Sequence, residues 1–190
     1  MAWQLTLGVG IVLWCTAHLF KRLFPALRNA LEERTGKLAR GIVASCIVAA
    51  LILIIVGWRG ADAGALYTPP SWGRIANNLC MLMAVILFGL GMSKSHARRW
   101  FRHPMLMAVV FWALGHLLVS GNAASVLLFG SFAVWAIAAI VLINLSEPEY
   151  QRYEGGSVAG DIRLVVIAVV VFAVMAVIHS FIGPYPLMVG

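Results

Sequence analysis

The sequence predicts an all-α protein, a polytopic membrane helical bundle of about six transmembrane helices with both termini on the extracytoplasmic side. Three observations lead there. Hydrophobic residues make up 62% of the 190-residue chain and charged ones only 11%. With a mean hydropathy of +0.94, a soluble domain of this size would have too little interior to hide its apolar surface. The apolar residues fall in continuous runs of about 20, the length that crosses a bilayer as a helix. Finally, twelve of the 14 lysines and arginines lie in alternate connections between those runs.

The runs place spans at 3–20, 41–58, 75–92, 104–120, 124–143 and 164–182, within a single domain covering 1–190. Strands are excluded, because the runs are continuous rather than alternating and lipid-exposed backbone must satisfy its own hydrogen bonds. The N-terminus lacks a basic stretch and a small-residue cleavage site, so the first run reads as a retained span. Lys21, Arg22, Arg28, Arg34, Lys37 and Arg40 follow that span. Lys94, Arg98, Arg99 and Arg102 follow the third, and Arg152 and Arg163 precede the sixth. Only Arg59 and Arg74 lie on the other side. Positive residues stay inside, which puts the three basic loops in the cytoplasm and both termini outside. The net charge of +7 is thus topological, and nucleic-acid binding is not expected.

Three connections have readable character. Leu23, Phe24, Leu27 and Leu31 recur at helical spacing among basic residues, with Pro25 near a helix start. This describes a helix in the interface or a solvated basic loop. Tyr67-Thr68-Pro69-Pro70-Ser71-Trp72 is stiff and aromatic-flanked, as an interfacial turn requires. The loop 147–156 holds the acidic patch Glu147, Glu149 and Glu154 and reads as a solvated connection or a lid. Cys15, Cys46 and Cys80 lie in apolar runs without CxxC spacing and read as small buried residues.

No span contains Asp or Glu, so relays built on buried acids lack raw material. HExxH, GxSxG, P-loop and GxGxxG patterns are absent as well, which removes the corresponding hydrolase and nucleotide chemistries. Histidine chemistry remains. His18, His116 and His179 lie in three different spans. One intramembrane imidazole is commonly a satisfied packing group, whereas three point to a shared ligand. Trp14-x-x-x-His18 and Trp112-x-x-x-His116 each set an indole one turn before an imidazole on the same helical face. Neutral imidazoles on facing helices are a common way to hold haem b. Arg102 and His103 at the basic interface would suit its propionates. By depth, His116 and His179 match at roughly 18 and 22 Å from the cytoplasmic end, against roughly 9 Å for His18. Helix tilt leaves the pairing open.

Arg102-His103-Pro104-Met105, Trp112, His116, Gly121-Asn122, Ala124-Ser125 and Leu127-Leu128-Phe129-Gly130, together with Tyr67-Thr68-Pro69-Pro70-Ser71-Trp72, His18 and His179 before an apolar tail, resemble the NnrU family over nearly the whole chain. The resemblance implies an integral membrane protein linked to denitrification, in nitrite and nitric oxide metabolism, with nitrite or nitric oxide reductase components as partners. It also implies kinship with the plant zeta-carotene isomerase, a haem b membrane enzyme. Carried over, that enzyme's haem ligands fall on His18 and His116; His179 is the alternate that depth favours. Ala113 stands where the isomerase has cysteine, and His18 and His179 are followed by Leu19 and Ser180 rather than by Ser and Pro. Two other readings stay open. One is an enzyme acting on a lipid-soluble substrate, either an isomerase or an S-adenosylmethionine-dependent methyltransferase. The latter is suggested by the resemblance of Arg102-His103-Pro104 and the later Glu-Pro-Glu-Tyr to isoprenylcysteine-type enzymes. The other is a non-catalytic assembly factor for a reductase.

Overall fold

A computed structural model describes residues 2–61 and 63–182. Seven α-helices and one 3₁₀ turn account for most of them. They are α1 (Ala2–Leu23), α2 (Pro25–Thr35), α3 (Leu38–Arg59), α4 (Gly73–Leu90), the 3₁₀ turn His96–Trp100, α5 (Pro104–Leu117), α6 (Ala123–Ser146) and α7 (Val158–Ile182). Five of the helices are long and apolar enough to cross a membrane. The chain is a multi-pass helical membrane protein. The tail after His179, from 183 onward, lies outside the described residues.

Six apolar helices were expected at spanning length, and α5 falls short. It has 14 residues, about 21 Å at the helical rise, against roughly 30 Å of hydrocarbon. Its end comes at Leu117 rather than Ser120 because the next residues are committed elsewhere. Asn122 caps α6, its side chain accepting from the Ser125 amide at 2.8 Å. Gly121 is bound by its carbonyl to the amides of Leu66 and Tyr67 at 2.8 and 3.2 Å. A Cβ on Gly121 would run into the Tyr67 carbonyl, so this close crossing needs glycine.

The spans pack side by side in the order α3, α1, α6, α5, α4, α7. Lipid offers apolar side chains no penalty, so contact between helices depends on close packing. At the α1–α3 crossing Gly57 lets the backbones meet, since a Cβ there would lie 2.8 Å from Leu7 Cα. One core forms around Leu7, Ile11, Ile54, Ala113, Leu128, Phe129 and Phe132, and a second around Ala84, Leu87, Leu90, Ala108 and Leu164. The outer faces of α3 and α7 expose valine and isoleucine, among them Ile52, Val56, Val166, Val170 and Val174, as lipid contact allows.

The two ends of the bundle differ. One holds the loop 60–72 and the turn 118–122, joined by an Ala65–Asn122 bridge and by Tyr67 Oη donating to the carbonyls of Leu117 and Ser120. The other, basic end holds α2, the 3₁₀ turn and the loop 147–157. Pro25 occupies the first turn of α2, as the leucine spacing suggested, with Arg28 paired to Glu32 at 2.6 Å. Helix α7 begins at Val158, earlier than 164, which brings Asp161 into its first turn.

Candidate functional site

The ladder of α5 fixes the central histidine. His116 Nδ1 lies 2.8 Å from the Trp112 carbonyl one turn back, so Nδ1 carries the proton and Nε2 is left with its lone pair outward. His18 repeats the arrangement on α1, its Nδ1 2.9 Å from the Trp14 carbonyl. In metal proteins the non-ligating imidazole nitrogen is held in this way, which sets ring orientation and tautomer. The Trp-x-x-x-His spacing thus supplies a carbonyl acceptor besides an indole.

The surroundings separate the two histidines. His116 and His179 line the same cavity of about 490 Å³ between α4, α5 and α7, with Asn77, Trp112, Phe172 and Met175 among its walls. That volume is within the usual range for a bound organic molecule. His18 lies instead between α1 and α6. Trp14 stacks on it with ring centroids 4.3 Å apart, and Trp135 meets it edge-on at 5.3 Å. An aromatic wall divides the two places: Trp14 touches Phe132, Phe132 touches Trp112, and Trp112 touches His116, at 5.6, 5.7 and 5.3 Å between centroids. Among the described residues no three histidine, cysteine or acidic side chains come together. Of the three intramembrane histidines, His18 is not among the residues lining the α4–α5–α7 cavity. The other two share it.

Arg102 and His103 stand in a separate opening at the basic end, which has no lining residue in common with the His116 cavity. Arg102 donates to the Glu147 carbonyl and lies over the Tyr150 ring, 5.0 Å from its centroid. His103 Nε2 is 2.9 Å from Asn144 Oδ1.

Two polar features escaped the sequence reading. Asn77 is buried on α4, lines the His116 cavity, and its Oδ1 has no partner. An unpaired polar atom in such a place costs free energy unless a ligand or water meets it. The Asn77-Asn78 pair inside an apolar run was the available signal. Asp161 accepts from Ser95 Oγ, His96 N and His96 Nδ1 at 2.6, 2.8 and 2.7 Å, tying α7 to the 3₁₀ turn. An acid in a helix's first turn was its signal.

An iron porphyrin would need nitrogen donors, and the α4–α5–α7 cavity has them. Two imidazoles from two helices face it, one with Nδ1 already engaged, and aromatic and thioether side chains wall it. These features define a class: a multi-pass helical membrane protein with a histidine-lined cavity between its spans. Within that class, the chain belongs to the NnrU protein family, whose family model matches residues 6–186. No curated protein and no solved structure matches it.

Proposed function

We propose that this NnrU protein binds haem b between α4, α5 and α7, where His116 and His179 would hold it, and serves nitrite and nitric oxide metabolism in the bacterial inner membrane. The basic end faces the cytoplasm in this reading, by the positive-inside rule, and reductase components are the partners. The observation that carries it is the common cavity of His116 and His179, joined to the engaged Nδ1 of His116. Trp112 orients the His116 ring through its carbonyl, and Phe129 holds the ring's face at 4.4 Å between centroids. Asn77 Oδ1 offers the acceptor for a polar group entering beside the histidines. Neutral imidazole is the form that ligates iron. Bound haem would supply a redox-active iron that takes up nitric oxide at an exchangeable position.

The test is the optical spectrum of protein purified in neutral detergent from haem-replete cells. A Soret band that shifts on reduction and is lost in His116→Ala is expected. Folded, monodisperse protein without stoichiometric haem overturns the proposal.

A further inference from the structure

The opening at the basic end has a volume of about 970 Å³, and the haem reading does not use it. Arg98, Arg102 and Arg152 line it, with Glu154 as the one carboxylate among its lining residues. Positive-inside topology explains why bases occur at this end. It does not explain why three guanidiniums from two separate connections, α4–α5 and α6–α7, converge on one hollow. Nor does it explain why, among the described residues, none of the three forms an ion pair; the salt bridges found there join Arg22 to Glu147, Arg28 to Glu32 and His96 to Asp161.

Two of the guanidiniums are held in place without being neutralised. Arg98 lies 4.5 Å from the centroid of the Tyr153 ring and gives one hydrogen bond, to the Ser93 carbonyl at 3.1 Å. Arg102 does the same with Tyr150 and the Glu147 carbonyl. Aromatic stacking fixes a guanidinium plane while leaving its other N–H donors available. The first turn of α5 opens here too. His103, at its N-cap, makes no capping hydrogen bond, Pro104 has no N–H to give, and Met105 and Leu106 line the hollow. An uncapped helix start adds amide donors and partial positive charge. The loop carrying Tyr150, Arg152 and Tyr153 forms the outer wall and is anchored by Ser157 N to the Lys94 carbonyl at 3.0 Å.

From the convergence of Arg98, Arg102 and Arg152 on the uncapped start of α5, we infer that this hollow is a binding site for a phosphate group. Guanidinium forks and helix-start amides both match the oxygens of a phosphate group. Two sources offer that chemistry, the headgroup of an anionic phospholipid and a soluble phosphate ester. The site is independent of haem, since the two cavities have no residue in common.

The experiment uses full-length protein in neutral, lipid-free detergent. Native mass spectrometry reads bound phosphatidylglycerol, and thermal unfolding reads stabilisation by inorganic phosphate or glycerol 3-phosphate. Arg98→Gln/Arg152→Gln is compared with Arg34→Gln/Lys37→Gln, which removes the same charge from the α2 region. The first pair should weaken binding about tenfold and the second less than about twofold. Arg152→Gln alone, on the exposed loop, guards against a folding defect. Retention of phosphatidylglycerol without a response to soluble phosphates supports the lipid source, and stabilisation by soluble phosphates supports the other. Equal loss from both pairs means diffuse charge attraction and overturns the inference. So does binding of neither probe, or displacement of phosphatidylglycerol by S-adenosylmethionine and not by phosphate.

Discussion

His116 on α5 stacks against Phe129 on α6, with ring centroids 4.4 Å apart and planes inclined by 20°. The imidazole thus has its tautomer set by its own helix and its face set by a neighbour. Phe129 is 4% exposed and also meets Trp112 and Trp58 edge-on, at 4.9 and 5.7 Å. Phe129→Ala should cost about 3–5 kcal/mol, the range for a buried phenyl. Phe129→Leu keeps much of the volume and should cost about 1–2 kcal/mol, including the lost ring contacts. Thermal unfolding in detergent measures both. A cost below about 1 kcal/mol for Phe129→Ala would show that α5 does not rely on this contact.

The division between the histidines predicts unequal substitutions. His116→Ala and His179→Ala should each reduce bound haem to less than about a tenth of the wild-type level, since each would remove one of the two imidazoles proposed to hold the group. His18→Ala should retain more than about half, because the wall of Trp14, Phe132 and Trp112 stands between His18 and the shared cavity. Pyridine haemochrome assays of equal amounts of folded protein supply the comparison. Equal loss from His18→Ala and His116→Ala would transfer the second ligand to α1 and require that wall to part.

What the sequence disclosed follows from the range of each interaction. Spans are one-dimensional: a run of apolar residues declares itself, as 41–58 did for α3. Pro25 marked where a helix could begin, because its fixed φ and missing N–H suit a first turn, although a solvated loop fitted the same residues. The end of α5 was hidden, since it depends on Gly121 meeting Leu66 and Tyr67, residues more than fifty positions away. The neighbours of His18 and His116 were hidden for the same reason. Depth along a helix could match His116 with His179, but only the packing order α1, α6, α5 sets aromatic rings between His18 and His116. Arg102 and His103 read as propionate contacts at the basic interface, and nothing local joined Arg102 to Tyr150 or His103 to Asn144.

The crossing of 64–67 over 121–122 yields a paired prediction. Asn122→Ala removes the cap bond to Ser125 N and the bond from Nδ2 to Ser120 Oγ, so it should cost about 1 kcal/mol. Asn122→Asp should recover most of that. Gly121→Ala should cost more, about 1–3 kcal/mol, because a Cβ there displaces the Tyr67 carbonyl. The loop 60–72 should then be cut faster by protease in Gly121→Ala than in Asn122→Ala. The reverse order would mean that the cap, and not the close crossing, holds this end together.

At the opposite end one carboxylate holds the 3₁₀ turn to α7. Asp161 receives three hydrogen bonds, and one donor, Ser95, is 1% exposed. Asp161→Ala leaves the Ser95 hydroxyl and the His96 amide without their acceptor, and should cost about 1–3 kcal/mol. Asp161→Asn retains one acceptor oxygen but cannot meet all three donors, so its cost should be smaller. Arg98 and Arg99 lie within the tethered turn, which makes trypsin a direct reporter. Cleavage after these arginines should accelerate in the order wild type, Asp161→Asn, Asp161→Ala. The same loosening should weaken phosphate binding at the basic hollow, because Arg98 is one of its walls. Should cleavage speed up while phosphate affinity stays unchanged, Arg98 would not be part of that site.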